Sequence, residues 1–264
     1  MSNRLTTWTL LALVLGPCLS ATRAWAGAGK GIEITFDVSA RDSHLGQGTL
    51  VIGPKGTAAQ PLRMVTLLGK TTSLLGVIYA GMLDASSWVD AGYVPVEGQW
   101  QSQIAGNKAR TRAKFAGQRV QAVFARLGKP DVSVDHTVDT PLLDPVALVP
   151  WLMHQKPKPG KKLHVHLFTG MDVCQATLEV GALQVLEING QSRDAVPLSS
   201  ELQGCRIHRK FTIWLSPKDQ LPLKMVIFDK LLGTVDFVLA GAKTVTVQPL
   251  PPPSASDEGP PLPK

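Results

Sequence analysis

Two histidines, His164 and His166 in KKLHVHL, are the chain's nearest approach to a metal-binding pattern. On a strand both side chains leave the same face within reach of one ion, and zinc would need a third ligand from His154, His208 or Asp172. Lys161 and Lys162 flank the pair and repel a cation, and no His-Glu-x-x-His or regularly spaced carboxylate accompanies it. A strand that buries Leu163, Val165 and Leu167 and turns its histidines to water accounts for the same letters, so no metal is expected. Nucleophilic chemistry has no better footing, because the chain lacks Gly-x-Ser-x-Gly. Asp131, Asp135, Asp139 and Asp144 are scattered through a turn-rich stretch, in neither an EF-hand loop nor a paired-carboxylate arrangement. The glycine-rich run from Gly46 to Gly56 lacks the Gly-Lys-Ser/Thr of a phosphate loop, and hairpin turns explain it. The chain therefore reads as a non-enzyme with no catalytic residue and no cofactor.

Charge is arranged more tellingly. Lys108, Arg110, Arg112 and Lys114 alternate with Ala109, Thr111, Ala113 and Phe115, so one strand face carries four cations. Arg119 and Arg126 are expected to continue that face on the next strand, and Lys156, Lys158, Lys161 and Lys162 form a second cluster. Such a row suits lipid phosphate or lipopolysaccharide, at about 1 kcal/mol per charge near an anionic surface. A solvated face that discourages edge pairing is the competing explanation.

The N-terminus bears on which anions the chain meets. Arg4 precedes an uncharged apolar run from Trp8 to Leu19, and Ala24-Trp25-Ala26 offers a cleavage site before Gly27. Residues 1–26 thus read as a signal peptide, the run being shorter than the roughly 20 residues of a membrane span. Pro17 beside Cys18 argues against lipidation. The whole chain has 27 Lys+Arg and 20 Asp+Glu; residues 1–26 hold Arg4 and Arg23 and no acid, leaving 25 against 20. In an exported chain this mild surplus points to an anionic envelope surface and away from nucleic acid. Periplasm or outer envelope is the expected location. There Cys174 and Cys205, the two thiols outside the signal, are most simply a disulfide.

Residues 27–248 read as one β-rich domain of short alternating runs broken by Gly and Pro, and residues 249–264 as a proline-rich disordered tail. GIEITFDVSA alternates cleanly, and RKFTIWLSPKDQLPLKM reads as a strand, a turn over Lys218-Asp219 and a return from Pro222. LLDPVALVPWLMHQ interrupts with Asp144 as a helix N-cap, Pro145 in the first turn and Pro150 inside, a short apolar helix. TTSLLGVIYAGML fits either a strand or a helix turn.

Five stretches occur in one order: SSWVDAGYVPVEGQW, LLDPVALVPWLM, KPKPGKKLHVHLFTG, FTIWLSPKDQLPLKM and LLGTVDFVL. That succession resembles the exported bacterial proteins grouped as domain of unknown function 3108, over most of residues 31–240. The resemblance implies a periplasmic or outer-envelope protein whose antiparallel strands curl around a helix. In shape it is similar to the periplasmic lipoprotein carrier and its outer-membrane receptor. The family carries no catalytic residues to transfer.

The combined expectation is a mainly β fold, a curled antiparallel sheet or open barrel wrapped around a short helix. Its apolar groove would bind or carry a lipid or acylated ligand, lined by Leu148, Trp151, Leu152, Trp214 and Phe228. A structural envelope protein with no small ligand is the alternative. The oligomeric state is not legible.

Overall fold

The computed structural model describes residues 28–41, 43–58, 60–71, 81–104, 107–204, 209–229, 233–248, 250 and 252. Residues 1–26, most of 249–264, and residues 72–80, which hold most of the ambiguous TTSLLGVIYAGML, lie outside them.

The chain is mainly β. Its strands are β1 (Gly29–Ala40), β2 (Ser43–Ile52), β3 (Arg63–Thr71), β4 (Gly81–Val89), β5 (Pro95–Ile104), β6 (Asn107–Ala116), β7 (Arg119–Arg126), β8 (Val132–Thr137) and β9 (Leu142–Leu143). After the helix α1 (Pro145–Gln155) follow β10 (Lys162–Phe168), β11 (Val173–Val180), β12 (Gln184–Ile188), β13 (Gln191–Gln203), β14 (Lys210–Leu215), β15 (Pro222–Asp229) and β16 (Gly233–Val247).

One sheet takes nearly all of them, in the order β8-β7-β6-β5-β4-β3-β2-β1-β16-β15-β14-β13-β11-β10-β9, with β12 branching from β13. The first and last strands pair at its middle, Ile34 opposite Ala242 and Phe36 opposite Leu239 across a bulge. All neighbours are antiparallel except β9 and β10. Alternation sets the faces: Ile34 and Phe36 are buried, while Glu33 on the other face reaches Lys243 at 2.9 Å.

A sheet this long twists and coils, and here the coil brings its far end round to the other limb. Phe168 of β10 packs against Trp100 of β5, ring centroids 5.7 Å apart, and against Phe115 of β6 at 6.0 Å. Leu142 of β9 joins the same cluster with Val120 and Ala122 of β7. The meeting is face to face, through side chains, and the ladder does not close into a barrel.

Inside the curl lies α1. Asp144 accepts from Ala147 N at 2.7 Å as N-cap, Pro145 occupies the first turn, and the helix ends where Lys156 turns left-handed. Every residue from Val146 to Leu152 is buried. A helix apolar on all sides is stable only when surrounded, and the coiled sheet surrounds it.

Candidate functional site

The inner face is not filled everywhere. On β2, Gly48 stands opposite Phe36 of β1 and, on its other side, opposite Gly69 of β3; Gly69 in turn faces Leu83 of β4. A Cβ built on Gly48 would come no nearer than 3.8 Å to any atom, and one on Gly69 no nearer than 3.7 Å. Neither is required by backbone geometry, so the two glycines leave open space where two inward side chains would stand. Gly46 differs: with φ at 155° and a would-be Cβ 2.1 Å from Lys70 O, its glycine serves the backbone.

In front of the glycine pair is a cavity of about 480 Å³. Phe36, Leu67 and Leu83 form one wall, Ile213 and Met225 the opposite wall, and Val146 and Val149 the helix side. This size and apolar lining belong to ligand pockets, which run from about 300 to 1,000 Å³. The described lining includes no Asp, Glu or His; its charged members are Lys70 and Arg209.

Of the five residues expected in the groove, Leu148 lines the cavity. Trp151 and Leu152, on the same helix, are packed into the main core instead. Trp214 and Phe228 lie on the opposite face of the sheet. Trp214 pairs with Lys224, whose Nζ sits 6.0 Å from the ring, and Phe228 pairs with Thr234 and is half exposed. Parity is the reason: the cavity face takes Phe211, Ile213, Met225 and Ile227, so the even positions of that hairpin point away. The hollow is marked by small residues rather than bulky ones, Gly48 and Gly69, once the β2–β3 register sets them opposite one another.

The four cations of β6 do share one outer face, with Gln103, Gln101, Gln99 and Glu97 of β5 opposite Lys108, Arg110, Arg112 and Lys114 in turn. Burial raises the Glu97 carboxyl above its ordinary range, and Lys114 and Arg112 oppose that rise. Arg119 shares this face, opposite Ala116, but grips Asp135 in a fork with Nε to Oδ1 at 2.8 Å and Nη2 to Oδ2 at 2.5 Å. Arg119 and Gln121 together hold Asp135 well below the usual carboxylate range. Arg126 is a correction: it pairs with Ala109, leaves from the inner side and stacks on Phe124 at 5.4 Å.

The histidine pair meets hydroxyls, His166 Nδ1 with Thr140 Oγ1 at 2.6 Å and His164 Nδ1 with Thr177 Oγ1 at 3.1 Å. His154 lies beside Tyr93 at 5.6 Å, and His208 is outside the described residues. Among the described residues no three His, Cys, Asp or Glu gather as metal ligands. Cys174 is buried on β11 opposite Leu167, and Cys205 lies outside the described residues. A second depression, of about 400 Å³ on the outer side of β11, β13 and β14, is polar, and its walls bond to one another, Ser199 to Thr212 at 3.0 Å and Lys210 to Glu201 at 3.4 Å.

Residues 35–240 match the family model described as protein of unknown function (DUF3108). The chain belongs to that family. No curated protein matches it. Among solved structures, DUF3108's representative here is similar to the beta-barrel-like protein of domain of unknown function DUF1849 from Brucella abortus. The TM-score is 0.55 with 12% identity, covering 83% of this chain and 100% of that one. At that identity the likeness concerns the fold alone. It is a likeness of coiled β architecture, which the DUF3108 chain reaches without closing its ladder.

Proposed function

We propose that this chain is an exported, non-enzymatic protein of the cell envelope, periplasmic or outer-envelope, that binds or carries a lipid or acylated partner by enclosing its acyl chain in the cavity between α1 and the inner face. The observation that carries the reading is the facing pair Gly48 and Gly69. Glycine inside a strand forfeits side-chain burial and costs conformational entropy. Two of them opposed on a core face, with room in front of both, are the composition of a place kept open for another molecule. Apolar walls without an acid or histidine among the described residues favour hydrocarbon over a polar substrate. The cationic outer face of β6 supplies the surface that would meet anionic lipid phosphates while the hollow takes the chain.

Organic extraction of the purified protein followed by mass spectrometry tests this, with Gly69→Leu as the comparison. The expected result is a lipid or acyl compound released from the native chain and missing from Gly69→Leu. A native protein that yields none, and takes up no apolar dye, would leave the structural envelope role as the better account.

A further inference from the structure

Lys224, a half-buried cation of the sheet, is answered by Asp236 at 2.8 Å. Arg63 is half-buried too and has no such answer. It opens β3 opposite Val89 of β4, at the same parity as the buried Val65, so it sits on the inner side at the end of the strand away from Gly69. Its Nη1 donates to the Tyr93 hydroxyl, and its guanidinium carbon lies 4.6 Å from the centre of the Tyr93 ring. Among the described residues it has no acidic partner, and burial lowers its pKa from the ordinary arginine value.

Tyr93 itself is held in an uncommon conformation. Its φ of 63° lies in the left-handed region, which a bulky side chain rarely occupies. The turn enforces it: Tyr93 N donates to Asp90 O at 3.1 Å, Asp90 N to Val94 O at 2.9 Å, and Gly92 N and Val94 N to Asp90 Oδ1 at 2.8 and 2.9 Å. The acid of this turn thus serves its own backbone. His154, exposed in the last turn of α1, lies 5.6 Å from the same ring. A partly desolvated guanidinium without an acid and a strained tyrosine are both unfavourable, and here they coincide.

We propose that Arg63 is a binding site for an oxyanion, a carboxylate or phosphate group, at the end of the curl beside the last turn of α1. Tyr93 fixes the guanidinium through its ring and through Nη1. The Nε–Nη2 edge has no partner among the described residues and is not sealed from solvent. It is the same edge with which Arg119 grips Asp135. Two parallel donors in a plane match two oxygens of a carboxylate or phosphate. The site is independent of the acyl reading, since neither Arg63, Tyr93 nor His154 lines the cavity.

The test is titration of the purified protein with inorganic phosphate and with acetate, against chloride at equal ionic strength to hold screening constant. The Arg63 Nε–H resonance and the backbone amides of Tyr93 and His154 are followed. A saturable shift is expected with at least one anion, and the anion that gives it identifies the preferred group. Arg63→Gln should abolish the amide shifts, and Arg63→Lys, which keeps the charge without the fork, should weaken binding about tenfold. Trp88, bonded to Leu250, pairs with Met64 beside Arg63, so Asp257 and Glu258 of the tail are a second source of carboxylate. Tighter binding in Asp257→Asn/Glu258→Gln would assign the site to the tail's own carboxylates in the resting chain, and unchanged binding to an outside ligand; both keep Arg63 as the oxyanion site. No saturable shift with either anion in both the native chain and that tail variant, or amide shifts that survive Arg63→Gln and Arg63→Lys undiminished, would overturn the proposal and leave the acyl cavity untouched.

Discussion

The Ser87 hydroxyl donates to Asp144 Oδ2 at 2.7 Å, tying the inner face of β4 to the cap of α1 through two fully buried residues. The other carboxylate oxygen accepts from Ala147 N at 2.7 Å. Burial pushes the Asp144 carboxyl up to about 6, against the pull of Ser87 and of the backbone at Ala147 and Val146. The native state thus holds this proton more tightly than the unfolded chain does. The contribution to stability is complete below the unfolded value, near pH 4, falls as pH rises towards 6, and is level above that. A shift of this size amounts to about 2–3 kcal/mol. Asp144→Asn keeps a good N-cap without the titration. In denaturant melts, the stability of the native protein relative to Asp144→Asn should therefore fall between pH 4 and 6.5; a difference flat with pH would refute the assignment. Asp144→Ala should cost most at low pH, about 1–3 kcal/mol, because Ser87 and the helix N-terminus both lose an acceptor, and less above pH 6.

Filling the hollow should separate stability from binding. Gly69→Leu adds apolar surface where the nearest atom to a Cβ is 3.7 Å away. Burying a leucine there should stabilise the fold by about 1–2 kcal/mol, and removing a strand glycine should add a few tenths more. Dye and acyl binding should vanish at the same time. A destabilised Gly69→Leu protein would mean that the space is smaller than the backbone indicates. Gly69→Ala, which needs little room, then reports whether the backbone tolerates any side chain.

The cationic face makes a prediction of the opposite kind, with stability untouched and surface binding altered. Replacing Arg110 and Arg112 together by Gln should weaken association with vesicles containing anionic phospholipid by about tenfold or more, at roughly 1 kcal/mol per charge. Neutral vesicles should show no difference. An equal loss on both would point to damage to the sheet.

How much of this was legible beforehand differs by element. The helix at 144–155 could be read because Asp-Pro is a start signal with a physical cause, and Asp144 does cap it. The cationic face could be read because β6 alternates without a bulge, as its unbroken register with β5 confirms. The groove lining could not, since a hairpin with bulky residues on both faces does not state which face is inside. That is decided by which face the coiled sheet turns towards α1, far away in sequence. The assignment of Arg126 to the cationic face failed because it lies an odd number of residues from Arg119 on an unbroken strand, which turns the two to opposite faces and sets Arg126 opposite Ala109. The open space at Gly48 and Gly69 depends on a register between two strands, and single-strand patterning carries no trace of it.

The β11–β13 ladder bears on the expected bridge. Gln175, next to Cys174, pairs with Gln203, two residues before Cys205 in the chain. Peptide mapping without reductant should recover Cys174 linked to Cys205. The Cys174→Ala/Cys205→Ala double variant should lose about 3–4 kcal/mol, as for the loop closed by such a bond. Free thiols at both positions in protein recovered from an oxidising compartment would remove the bridge.

Trp88 sits on the outer face of β4 yet is only 4% exposed, and its Nε1 donates to Leu250 O at 2.8 Å. Leu250 of the proline-rich tail therefore lies on the sheet, whereas composition alone led to a tail wholly apart from it. An indole N–H buried without a partner is costly, so a carbonyl from a segment with few backbone donors of its own is a fitting acceptor. Ending the chain at Val247 should expose the ring. The expected readout is a red-shifted emission with greater acrylamide quenching, both absent when the same truncation is made in a Trp88→Phe background. The truncated protein should lose about 1 kcal/mol of stability, the size of one such hydrogen bond. Unchanged emission on truncation would show that the tail does not cover this indole in solution, and would return it to the status of a free appendage.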